Sequence, residues 1–199
     1  MAENSEQGRF DALIERAAEY QELARDNYDR VRRIAQGIES GFCAYLAAKD
    51  GKCVQLVPPA GPFQPKNYGD EAFSMPPRGF RHIAPIAFGL AVRVTRGTDW
   101  MRMVLMCSKE GDNFVVTIAD GSSHTFDLPF TDEDHHEFYD LLYSHVMEWL
   151  NDRMALYRHG NYGTSTIGFD FNDESEPGDG IAPELPVLGP KTIVSAETS

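Results

Sequence analysis

The chain has 199 residues, 42% of them hydrophobic and 25% charged, a composition that suits one globular domain with a real core followed by a tail. Its 31 acidic residues against 18 basic ones give a formal charge of −13, which disfavours nucleic acid and anionic lipid and favours a basic protein partner. The longest apolar stretch, around 83–92, is broken by Pro85 and Gly89 and is too short to span a bilayer, so no membrane segment is expected. Residues 1–6 are polar and acidic, the reverse of a secretory signal, and a cytoplasmic location is the expectation. Three cysteines, Cys43, Cys53 and Cys107, are odd in number and lack C-x-x-C spacing, which agrees with a reducing compartment.

Helical periodicity over 8–38 predicts one long first helix, with Phe10, Leu13, Ile14, Ala17, Tyr20, Ala24, Val31, Ile34 and Ile38 on one face. The opposite face pairs Asp26 with Arg30 and Asp29 with Arg33 at i,i+4 spacing, and Gly37 and Gly41 bracket the stop. At about 1.5 Å per residue such a helix extends roughly 40 Å, longer than a domain of this size is wide, so part of it should overhang. Phe10, Ala17, Ala24, Val31 and Ile38 recur every seven residues, with Leu13, Tyr20, Asn27 and Ile34 between them. Two uses compete for this stripe: covering a sheet, or forming a coiled-coil seam between subunits through Phe10, Leu13, Tyr20, Val31 and Ile34.

Asp50-Gly51 between strand-forming runs predicts a type I′ hairpin over 42–57. In that register Cys43 and Cys53 project from opposite faces, which excludes a disulfide between them. A Pro- and Gly-rich loop over 58–81 follows. Its length marks it as functional or mobile, and Phe63, Tyr68, Phe73, Arg78, Phe80 and Arg81 are its candidate ligand or partner surface. A meander is expected over 87–128, turning at Gly97-Thr98 and Asp120-Gly121, with Met101, Met103, Leu105 and Cys107 on one face of its second strand. Thr131 caps a second helix over 131–157. Beyond it, 161–199 carry seven acids against Lys191 and read as an acidic flexible tail. Two apolar islands interrupt that tail, one holding Ile167, Phe169 and Phe171 and suited to an edge strand or to docking on another chain.

The fold class is therefore α+β: a sheet of about six antiparallel strands, in two hairpin units and a meander, flanked by an N-terminal and a C-terminal helix in a single domain over 1–160.

Candidate chemistry is sparse. Asp132, His136 and Asp140 line one side of the second helix, as a metal or proton-transfer site would require, but no second cluster completes a first shell. His145 falls on the apolar stripe, where a buried hydrogen-bonded histidine is expected. His124 should face Thr117 near Ser122 and Ser123, without the oxyanion glycine motif of a hydrolase. Met101, Met103, Met106 and Cys107 are soft donors that more often fill a core. No catalytic set, metal or cofactor is expected. The sequence reads as a self-associating protein-interaction module of adaptor, chaperone, immunity or accessory-subunit type. Two alternatives stand beside it: a small-molecule sensor with its site between the sheet and the Pro-rich loop, and a metal-dependent enzyme using His136.

Overall fold

The computed structural model describes residues 8–75, 79–118, 121–126, 135–161 and 169–172. Its first element, α1 (Arg9–Tyr45), continues for two turns past the expected stop. Val31, Ile34, Ile38 and Phe42 keep a helical spacing and are all buried against the sheet. Burying each such side chain stabilises by roughly 1.5–3 kcal/mol, which outweighs the about 1 kcal/mol that Gly37 and Gly41 each cost a helix. Gly41 has a packing role instead: a Cβ there would collide with the Tyr139 hydroxyl of the second helix.

The expected first hairpin is accordingly absent. Phe42 to Tyr45 are helical, and only β1 (Val54–Val57) is a strand, paired antiparallel with β2 (Ile86–Arg93) rather than with its predecessor. Asp50-Gly51 lies in the helix-to-strand turn, where Gly51 takes φ +61° and Asp50 forms a two-pronged ion pair with Arg93 at 2.6 and 2.8 Å. Because Cys43 sits on the last turn of a helix and not on a strand, the facing argument fails. Cys43 and Cys53 form a disulfide with a Cα–Cα distance of 5.5 Å.

The sheet continues with β3 (Trp100–Glu110), β4 (Asn113–Ile118) and β5 (Ser123–Phe126), all antiparallel, in the spatial order β1-β2-β3-β4-β5. A short β6 (Phe169–Phe171), from the segment expected to be tail, pairs with β3 at Met101–Met103. Two registers differ from the hairpin readings. Arg93 faces Trp100 and Val94 donates to Asp99, so the β2–β3 connection is longer than a two-residue Gly97-Thr98 turn. His124 faces Val116, not Thr117. Among the described residues a two-residue turn is formed by Gly111-Asp112 between Glu110 and Asn113, with Gly111 at φ +61°, the positive value that a type II′ turn needs at its first central residue.

The second helix, α2 (His136–Arg158), packs beside α1 on the same face of the sheet. The expected cap at Thr131 lies outside the described residues. Between these helices and the sheet runs one core containing Phe88, Leu90, Met101, Met103, Leu105, Phe114, Phe138 and Leu142. The other face has a smaller cover, in which Phe63 from the loop packs with Val57, Ala91 and Trp100. Gly89 permits this: a Cβ there would lie 2.8 Å from the carbonyl oxygens of Val57 and Pro58. The result is an α+β fold with both helices on one layer. Among the described residues no helix is long and apolar enough to cross a membrane.

Candidate functional site

The surface residues expected on the Pro-rich loop separate into three places. Phe63 and Tyr68 close over the outer sheet face, where the buried Arg102 guanidinium lies 4.8 Å from the Phe63 ring and donates to the carbonyls of Pro58 (3.1 Å) and Gly61 (2.7 Å). These side chains pack into the space between sheet and loop. Phe73 enters the main core, edge-on to Tyr28, and its backbone bridges to Phe88. Phe80 and Arg81 turn toward α1, where Phe80 stacks on Tyr20 at 5.5 Å. Arg78 lies outside the described residues.

Arg81 is the one of these that meets other charged side chains in a cleft. The helical spacing of Gln21, Arg25, Tyr28, Asp29 and Arg32 places all five on one face of α1. These residues, together with Asp70, Gly79 and Arg81, line a cleft of about 360 Å³. The loop is pinned there by a reciprocal pair: the Gln21 amide donates to the Arg81 carbonyl at 2.8 Å, and the Arg81 N–H donates to Gln21 Oε1 at 3.0 Å. The Arg81 guanidinium lies 4.3 Å from the Tyr28 ring. Arg32 pairs with Asp70 at 3.2 Å. Burial, and then the neighbouring Asp70 carboxylate, push the Tyr28 hydroxyl up to about 12, so it is neutral at physiological pH. Arg25 and Arg32 were missed in the sequence, where only their i,i+7 spacing around Tyr28 marks them.

A second feature is the start of α1. Residues 9–16 are all exposed, including Phe10 (70%), Leu13 (63%) and Ile14 (52%), and the first buried residue of the helix is Ala24. The seven-residue stripe therefore divides. Val31 and Ile34 are 0% and 1% exposed against the sheet and are core residues, which removes them from the expected subunit seam. Tyr20 is engaged by Phe80, and its hydroxyl accepts from the Ile83 N–H at 2.8 Å. Phe10 and Leu13 stay on the overhang.

The remaining candidates are dispersed. His136 and Asp140 are exposed on α2, with the Tyr45 hydroxyl donating to Asp140 and the Tyr45 ring edge-on to His136. Asp132 lies outside the described residues, and among those described no group of three His, Cys, Asp or Glu side chains is placed to hold a metal. His145 is half-buried rather than buried. Met101, Met103 and Cys107 are buried in the core, and burial pushes the Cys107 thiol up to about 12, while Met106 is exposed on the opposite face. Asp26 and Arg30 form their i,i+4 ion pair at 2.9 Å. No family model, curated protein or solved structure matches this chain.

Proposed function

We propose that this protein is a non-catalytic interaction module that associates with itself and with a protein partner, the chain's acidity favouring a basic one. The observation that carries the reading is the exposed start of α1, where Phe10, Leu13 and Ile14 stand clear of the chain's own core. A continuous helix that presents an apolar stripe beyond the sheet gains by covering it with a second helix, because each side chain so buried contributes roughly 1.5–3 kcal/mol.

Light scattering behind size exclusion tests this on the full chain and on a Phe10→Glu, Leu13→Glu double variant. Wild type is expected to run above the mass of one chain at micromolar concentration, and the variant at that of one chain with unchanged circular dichroism. A wild type that stays at one chain through the millimolar range overturns the reading.

A further inference from the structure

The three guanidiniums lining one cleft stand out on a chain with a formal charge of −13. They come from two elements distant in sequence, and the reciprocal Gln21–Arg81 hydrogen bonds fix the distance between those elements. The Arg81 guanidinium is held over Tyr28 and that of Arg32 by Asp70. Arg25 takes no ion pair among the described residues. Holding arginines in place before a ligand arrives lowers the entropy lost on binding.

We infer that this cleft binds a small phosphorylated polyol or sugar, with the phosphoryl group taken by Arg25, Arg32 and Arg81. With one Arg32 N–H already given to Asp70, the cleft still gathers more guanidinium donors than the two oxygens of one carboxylate can use, whereas a phosphoryl group presents three oxygens and up to two charges. Asp29 and Asp70 line the same cleft, and against three arginines they leave it a single net positive charge. The Asp29 carboxylate is an acceptor, and Asp70 keeps acceptor capacity beyond its pair with Arg32, so donors on the rest of the ligand are matched there. Hydroxyl groups supply such donors without adding charge. The volume of about 360 Å³ falls in the range of small-molecule sites and leaves room beyond a phosphate ion. The inference is independent of self-association, because Phe10 and Leu13 do not line the cleft.

Calorimetric titration of the full chain tests it with four probes: glucose 6-phosphate, inorganic phosphate, inorganic sulfate and glucose. Glucose 6-phosphate is expected to bind most tightly, inorganic phosphate more weakly, and glucose not at all. Arg25→Gln should weaken glucose 6-phosphate by about ten- to hundredfold, the loss of one charge-assisted contact, and Arg25→Lys by less. Arg25 is exposed and takes no ion pair among the described residues, so both variants should keep the wild-type melting temperature without ligand. Equal binding of sulfate and glucose 6-phosphate would reduce the cleft to unspecific charge attraction. Binding of glucose alone, no binding of any probe at millimolar concentration, or wild-type affinity in Arg25→Gln would each overturn the inference.

Discussion

Glu39 and Asp50 flank the end of α1, and the fold moves their carboxyls in opposite directions. Glu39 is held above the usual carboxylate range by burial, which the hydrogen bond it accepts from the Leu56 N–H at 3.1 Å only partly offsets. Asp50 is held down to about 2, first by its hydrogen bonds from Arg93 and then by the Lys52 N–H. A raised acid binds protons more tightly when folded, so Glu39 removes stability as pH rises through its folded value. Glu39→Gln keeps an acceptor for Leu56 and carries no charge; its melting temperature should exceed wild type at pH 7 and converge with it below pH ~4. Asp50 contributes stability that is complete above its unfolded value of 3.8 and lost as pH falls through about 2. Asp50→Asn should therefore melt below wild type at pH 7, with the gap closing near the acid limit. Melting curves at a series of pH values check both, and parallel curves for either variant would remove the assigned cause.

Between elements, the junction of α1 with β1 and α2 decides the architecture. Gly41 lets Tyr139 approach the helix backbone, so Gly41→Ala, which favours an isolated helix, is expected to destabilise the protein by about 1–3 kcal/mol through overpacking. Stabilisation in a denaturant titration would mean that Tyr139 swings away freely. The Cys43–Cys53 disulfide closes a short loop over the same junction, with a sequence separation of 10. Reductant should lower wild-type stability by roughly 2–3 kcal/mol and leave Cys43→Ser unaffected. A wild-type denaturation midpoint that ignores reductant, with an intact mass two hydrogens heavier than the disulfide form, would show that the thiols stay open. This junction is also where the sequence misleads. Phe42, Tyr45 and Leu46 have strand propensity, and Asp50-Gly51 is a strong turn signal, yet Ile34, Ile38 and Phe42 already continue the helical stripe. Gly37 and Gly41 suggested a stop because Tyr139, which fills the space beside Gly41, is remote in sequence. The long helix, most of the meander and the second helix were readable because periods of 3.6 and 2 are local. The arginine cleft was not, because only the folded loop brings Arg81 to the polar face of α1.

At the scale of the whole molecule, both helices occupy one face of the sheet, and the tail returns to finish its edge. β4 covers β3 only from Leu105 onward, which leaves the backbone groups at Met101–Met103 for β6. The alternation Phe169-Asp170-Phe171 carries the period-2 signal of a strand inside an otherwise tail-like composition, and the Phe171 ring sits 5.9 Å from that of Trp149 on α2. Asn172 fastens this return: its Oδ1 accepts from the Trp100 N–H at 2.8 Å, its Nδ2 donates to the Thr98 carbonyl at 3.1 Å, and its own N–H donates to the Trp100 carbonyl at 3.1 Å. Asn172→Ala deletes the two side-chain bonds and keeps the backbone one, so a loss of about 1–3 kcal/mol is expected. Amide exchange at Trp100 should accelerate, since its donor loses its acceptor. A chain ending at His159 loses the strand as well and should fall further, with altered tryptophan emission as Phe171 leaves Trp149. If Asn172→Ala and the chain ending at His159 both match wild type in stability, β6 contributes nothing to the fold, and the residues before it carry it unaided.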